Sequence, residues 1–241
     1  MMVRLLEVAA NSLESALQAR QGGADRVELC ENLGEGGTTP SFGTIALARE
    51  YLDIALHVLI RPRAGDFVYT PREWEAMRCD VELCAKLGCD GVVIGGLTAS
   101  AEIDMDDCRM LMDAAAGMQV TFHRAYDCVS DRTSALEHII ALGCSRVLTS
   151  GGADGAPQGA AAIAHDVTRA AGRLIILPGA GISPETVGPL VRTTGVQEVH
   201  ASCKALVQGQ GGIGPAGLDR DFWQTDASRV QALRLALDAA I

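Results

Sequence analysis

The chain predicts an α/β fold, a (βα)8 barrel of the TIM type, as a single domain over residues 1–241. Three observations predict it. Eight short runs rich in β-branched residues or Leu recur along the sequence, each followed by a stretch with helical spacing. Strands alternating with helices demand a parallel sheet, and eight units of about 30 residues match the usual size of a closed barrel. The signatures of an open nucleotide-binding sheet are missing: the turn Ala10-Asn11-Ser12-Leu13 has no glycine, and neither a P-loop nor a G-x-S-x-G elbow occurs.

The predicted strands are Leu5 to Ala10, Arg26 to Cys30, Ala55 to Arg61, Gly91 to Gly95, Val120 to Arg124, Arg146 to Ser150, Arg173 to Leu177 and Gln197 to Cys203. The clearest helix start is Thr70-Pro71-Arg72-Glu73, where Thr70 caps, Pro71 suits the first turn and Glu73 completes a capping box. Trp74, Met77, Val81, Cys84 and Gly88 then form one buried stripe. Asp104 before Met105 to Ala116, Asp131 before Thr133 to Leu142, and Ser183-Pro184 before Glu185 to Val191 repeat the capping logic. Gly22-Gly23, Gly88, Gly117, Gly143 and Gly172 stand where helices stop. The segment 204–227 does not fit the repeat. It is polar and Gly-rich before the last helix, and a loop of that length is either a functional lid or disordered.

Composition narrows the function. With 20 basic and 30 acidic residues the formal net charge is −10, no Lys/Arg run occurs, and aromatic residues make up 4%. Nucleic acid and anionic membrane are therefore excluded as partners, for want of a phosphate-neutralising patch or a stacking platform. No apolar run approaches the roughly 18 residues of a spanning helix, and Met1 leads directly into a strand without a signal-peptide pattern, so a soluble, cytoplasmic protein is expected. The 8 cysteines contain no C-x-x-C pair and read as reduced, mostly buried small hydrophobes.

Both faces of a barrel strand are buried, so charges within strands need a reason. Alternation points Glu7 and Ala9, Glu28 and Cys30, His57 and Arg61, His123, and His200 and Ser202 inward. Strands 8, 1, 2 and 3 are neighbours in a closed barrel, which makes His200, Glu7, Glu28 and Arg61 one polar arc faced by His123. Strands 4, 6 and 7 are expected to put only Val, Ile, Leu and small residues inside. Paired carboxylates beside an arginine and two imidazoles suit proton transfer: the arginine keeps one carboxylate ionised while burial raises the other. The same residues also fit a buried ion-pair network that fixes strand register.

Arg61-Pro62-Arg63 and Asp66 lie in the loop after strand 3. Arg61 and Arg63 fit an anion clamp, or Arg63 pairs with Asp66 to stiffen the loop. Gly179-Ala180-Gly181 after strand 7 opens onto a helix N-terminus, a common phosphate position in barrels, with Gly179 and Gly181 as the anion-binding glycines. Of the cysteines, only Cys30 and Cys203 are placed to be ligands. Cys79, Cys84 and Cys89 share no helix face.

Several motifs resemble one known family. Gly22-Gly23-Ala24-Asp25-Arg26-Val27-Glu28-Leu29-Cys30, Gly36-Gly37-Thr38-Thr39-Pro40-Ser41, Arg61-Pro62-Arg63 with Gly65-Asp66-Phe67, Thr121-Phe122-His123-Arg124-Ala125 with Asp127, and Leu148-Thr149-Ser150-Gly151 resemble the CutC copper homeostasis family, in order from Leu5 to Ser202. The resemblance implies a (βα)8 barrel, a cytoplasmic location, a monomer or small homo-oligomer, and copper as ligand. It also implies a Cu(I) site built from Cys30 and a cysteine after Glu7-Val8. Here that first position is Ala9, so one thiolate is missing. The residues themselves support an enzyme that does acid/base chemistry on a small anionic or phosphorylated metabolite. In that reading Glu7 or Glu28 is the base, His123 the proton donor and Arg61 the anion clamp, with Asp127 and His200 completing the set.

Overall fold

The computed structural model describes residues 4–210 and 220–240. In chain order the barrel units are β1 (Leu5–Ala10) and α1 (Leu13–Gln21), β2 (Arg26–Leu29) and α2 (Phe42–Tyr51), β3 (Ala55–Leu59) and α3 (Pro71–Leu87), and β4 (Gly91–Ile94) and α4 (Met105–Ala114). The second half runs β5 (Gln119–Phe122), α5 (Arg132–Leu142), β6 (Arg146–Thr149), α6 (Ala160–Ala170), β7 (Ile175–Pro178), α7 (Pro184–Thr194) and β8 (Glu198–Ala201). A hairpin of β9 (Lys204–Val207) and β10 (Phe222–Thr225) then precedes α8 (Ala227–Asp238).

Strands β1 to β8 form one parallel sheet in the order β7-β6-β5-β4-β3-β2-β1-β8. Its ends meet across a seam between β7 and β8, where a side chain on Gly179 would come within 3.2 Å of the His200 ring. All eight expected strands are present. Several end one or two residues early, which leaves Arg61, His123 and Ser150 just past their strands, at the barrel mouth.

The capping predicted for α3, α4 and α5 is realised, whereas at α7 the Ser183 amide instead donates to Thr186 Oγ1. Thr70 accepts from the Glu73 amide while Glu73 accepts from the Thr70 amide, and Asp104 and Asp131 accept from the first-turn amides of α4 and α5. Trp74, Met77, Val81 and Cys84 line the buried face of α3. The outer wall of the sheet, including Leu6, Val8, Val27, Leu29 and Val58, is fully buried under the helices and forms the apolar core.

Two expectations are corrected. The segment 204–227 is not a plain loop: both of its arms are extended and paired antiparallel, with Lys204 opposite Thr225 and Leu206 opposite Trp223. Val207, Phe222, Trp223 and Thr225 supply the β-favouring side chains that the glycine content obscured. The hairpin docks on β1 and α1 through Asn11 Nδ2 to the Trp223 carbonyl (2.8 Å) and the Thr225 amide to Ser15 Oγ (3.1 Å). The lid-or-disorder alternative falls on 211–219, outside the described residues.

The interior of strand 6 is not purely apolar either. Arg146, the first residue of β6, reaches inward to Glu198 on β8 (2.8 Å) and Gln119 on β5 (2.6 Å). Arg26 on β2 joins Glu198 (2.6 Å) to Glu7 on β1. Each buried ion alone would cost several kcal/mol. The alternation Arg146–Glu198–Arg26–Glu7 neutralises each charge with the next, and the ladder climbs toward the mouth.

Candidate active site

The ladder ends in a relay. Glu7 is fully buried, and its two oxygens are both engaged: one by Arg26, the other by His200 Nδ1 at 2.7 Å. Burial works against its charge, but Arg26 and His200 outweigh it and hold the carboxyl well below the usual range. An ionised carboxylate only accepts, so Nδ1 of His200 carries the hydrogen. The other ring nitrogen, Nε2, stands 3.7 Å from Glu28 Oε2, too far for a hydrogen bond. Burial also works against charge on His200, yet Glu28 and Glu7 together raise its pKa.

Glu28 accepts no hydrogen bond among the described residues. Burial, with Glu7 nearby, pushes its pKa up to about 7 against the pull of His200. Two carboxylates on adjacent strands therefore differ sharply. Glu7 is locked as an anion by Arg26, whereas Glu28 is free and poised to exchange a proton near neutrality.

Glu28 and His200 line a cavity of about 370 Å³ at the C-terminal mouth of the barrel. Arg61, His123, Arg124 and Lys204 also line it, and Phe67 covers part of it. His123 follows β5 and caps the 3-10 turn behind it: its Nδ1 accepts from the Ala125 amide at 3.1 Å. Nε2 therefore bears the hydrogen, and it is buried without a partner. Burial, then the nearby Arg61 charge, lower the His123 pKa to about 3, so the ring is neutral at any physiological pH. The ring rests directly on the backbone just past β4. A side chain on Gly95 would lie 2.5 Å from it, and Gly91 makes the same room for His57, at 2.6 Å.

Arg61 is fixed by backbone carbonyls. Its Nη1 donates to Glu35 and Gly37 (3.0 and 2.8 Å) and its Nη2 to Gly65 (2.7 Å), while Nε is buried without a partner. It has no carboxylate partner among the described residues, and neither does Lys204, whose amine lies 4.9 Å from the Trp223 ring. A cavity lined by two cations that have no carboxylate partner among the described residues attracts anions locally.

The remaining expected residues take other places. Arg63 does not reach the cavity: its guanidinium is held by Glu73 (2.6 Å) and Asp66 (3.0 Å), the loop-stiffening alternative. Asp127 binds the loop after β6, accepting from Thr149 Oγ1 (2.5 Å) and the amides of Ser150 (2.9 Å) and Gly152 (3.0 Å). Gly181 lines the cavity with Ala180 and Ile182. Gly179 is a wall residue whose missing side chain admits Leu148 and His200.

Cys30 lies off the cavity in a small apolar group with Leu59 and Val93, roofed by Leu33. Burial, with Glu28 and Glu31 nearby, pushes its thiol far above the ordinary range. Ala9 is in register with Glu28, so Cys30 lies two residues farther along the neighbouring strand and meets no second sulfur there. A copper thiolate centre needs deprotonated sulfur and a second soft ligand, and the residues around Cys30 do not fit one. Glu7, Glu28 and His200 bring donor atoms within 4.8 Å of one another. With both Glu7 oxygens committed, however, only two ligands remain, fewer than a stable metal site uses.

Arg26, Glu198, Arg146 and Lys204 were absent from the residues expected at the site. The first three share strand parity with Glu28, His200 and Leu148, and that periodicity was signal enough to place them inside.

No described helix is long and apolar enough to cross a membrane. The CutC family model matches residues 4–205. A family protein CutC from Chromobacterium violaceum is 50% identical over 247 residues, covering 99% of this chain and all of that protein. A solved structure from Streptococcus agalactiae, described as a copper homeostasis protein CutC, superposes with a TM-score of 0.80 at 34% identity, over 83% of this chain and 99% of that one. Thiamine phosphate pyrophosphorylase from Pyrococcus furiosus superposes with a TM-score of 0.62 at 13% identity, over 100% of this chain and 98% of that one, a likeness of fold alone. The chain belongs to the CutC family.

Proposed function

We propose that this protein is a barrel enzyme that performs acid/base chemistry on a small anionic metabolite at the C-terminal mouth. The observation that carries the reading is the chain Arg26–Glu7–His200–Glu28. It delivers one unengaged carboxylate with a pKa near 7 into a cavity lined by Arg61 and Lys204, which have no carboxylate partner among the described residues. A carboxylate at its ordinary pKa is a weak base at neutral pH, and one raised to about 7 accepts and returns a proton in the same cycle. The anionic group of the substrate is assigned to the β7–α7 turn at Ala180, Gly181 and Ile182, with Lys204 at the rim. Arg61 supplies charge from below.

A screen of phosphorylated and carboxylated metabolites by thermal shift tests this. At least one is expected to stabilise the protein, with the shift reduced in Lys204→Met and Arg61→Met. A screen without any cation-dependent hit would contradict the reading.

The description of the streptococcal relative favours a second reading, copper homeostasis, which in this chain would rest on Cys30. An anaerobic Cu(I) competition with a chelator separates the two. The enzyme reading expects no Cys30-dependent stoichiometric uptake, and uptake abolished by Cys30→Ala would favour copper.

A further inference from the structure

The turn that ends α3 brings two cysteines together. On a continuous helix Cys84 and Cys89 would share no face, but α3 stops at Leu87 and Gly88 takes the left-handed conformation (φ 73°). The Cys89 amide then donates to the Cys84 carbonyl and the Gly88 amide to the Ala85 carbonyl, both at 3.1 Å. These are the two bonds of a Schellman motif, which sets the side chain just past the turn against one in the helix's last turn. That contact is ordinarily between apolar side chains. Here both positions carry thiols.

The surroundings of the two sulfurs differ. Cys84 is fully buried in the apolar core, whereas Cys89 keeps 6% of its surface. A side chain on Gly88 would meet nothing within 4 Å, so the turn is open to solvent beside Cys89. Arg49 approaches from α2 and is held by Asp90, the next residue after Cys89, at 2.5 Å. Hydrogen bonding with Cys84, then the Arg49 charge, hold the Cys89 pKa below the ordinary thiol value against burial. Hydrogen bonding with Cys89, then burial, push Cys84 up. The more accessible sulfur is therefore the better thiolate, and the buried one stands behind it with its proton.

We propose that Cys84 and Cys89 are a modification site, a dithiol that hydrogen peroxide closes to a disulfide and a thiol reductant reopens. A small oxidant is required because Cys84 has no exposed surface and Cys89 very little. The Cys89 thiolate attacks one oxygen of the peroxide, the O–O bond breaks and hydroxide leaves, giving a sulfenic acid. The Cys84 sulfur then attacks the Cys89 sulfur. The S–O bond breaks, the departing oxygen takes the Cys84 proton and the S–S bond forms. The two thiols lose two electrons and two protons, and the peroxide is reduced to two waters. Neither cysteine lines the cavity at the mouth, so the bond ties the end of α3 to the start of β4 without entering the candidate active site.

The reduced protein is treated with hydrogen peroxide, its free thiols are blocked with N-ethylmaleimide, and it is digested with trypsin without reduction. Lys86 lies between the two cysteines, so a Cys84–Cys89 bond holds peptides 79–86 and 87–109 together. The expected result is a linked pair that dithiothreitol separates, with fragment masses placing the bond at Cys84 and Cys89. It should persist in Cys79→Ser and disappear in Cys84→Ala and in Cys89→Ala. Cys84→Ala lacks the resolving thiol, so dimedone should label Cys89 there about tenfold more than in the unsubstituted protein. Circular dichroism confirms that each variant is folded.

Oxidation of the exposed Cys79 and Cys128 with no linked pair would overturn the proposal, as would a bond that starts from Cys79 or Cys108. Dimedone on Cys84 in Cys89→Ala, with none on Cys89 in Cys84→Ala, would overturn the assignment of Cys89 as the attacking sulfur.

Discussion

Glu7 and Glu28 show how environment divides two identical side chains. Both are buried, both point into the barrel and they stand on adjacent strands, yet Arg26 donates to Glu7 and leaves Glu28 alone. Burial pushes both pKa values up, and only the residue with a guanidinium in contact escapes it. His57 shows the same principle for a base. Burial, against the pull of Glu7, lowers its pKa from 6.5 to about 4, and its Nδ1 has no partner. Above pH 6.5 the ring is neutral in both folded and unfolded chains. Below it, the unfolded chain takes a proton that the folded one refuses, and the stability His57 contributes is lost as pH falls toward about 4. The unfolding free energy of the protein minus that of His57→Asn is expected to be flat between pH 7 and 9. From pH 6.5 to about 4 it should decline by on the order of 3 kcal/mol, measured by urea unfolding. A difference that stays constant through pH 5 would contradict the burial of a neutral ring.

At the scale of elements, one short motif ties the helix start to the site. Glu73 closes the capping box of α3 and also clamps Arg63, which stiffens the loop that carries Phe67 over His123 and Arg61. Glu73→Ala is expected to cost about 1 kcal/mol of stability and to speed amide exchange selectively in residues 62–69. A uniform rise across the whole chain, or none, would show that the clamp does not order the loop.

The box itself was legible in four residues, because capping is local chemistry. So were all eight strands and the inward parity of Glu7, Glu28, Arg61, His123 and His200, because period 2 in a buried sheet leaves few alternatives. What the sequence did not reveal depends on partners distant in the chain. Arg63 and Asp127 match an anion site by composition but are consumed by Glu73 and by the loop after β6. The β9–β10 pairing was hidden because a hairpin register is set by both arms at once, with the glycine-rich middle masking the signal.

For the whole molecule, the barrel turns four separate strand charges into one axial ladder, Arg146–Glu198–Arg26–Glu7, topped by His200 and Glu28. The lower rungs neutralise each other and the top rung opens on the cavity, so register and chemistry share one set of residues. In a barrel the C-terminal mouth is the functional end, and the ladder supplies the rigid base that holds a perturbed carboxylate there. Membership of the CutC family fits this architecture, while Ala9 and the buried, apolar setting of Cys30 separate this chain from a two-thiolate copper centre.

Glu28 is an unengaged carboxylate whose pKa burial raises to about 7. Carbon-13 NMR of side-chain-labelled glutamate, with the Glu28 resonance assigned by its loss in Glu28→Gln, measures this directly. The expected result is a carboxyl titrating near pH 7, and shifting when Glu7 is replaced by Gln. A Glu28 carboxyl that titrates between about 4 and 5, as an ordinary glutamate does, would rule out Glu28 as the base at neutral pH.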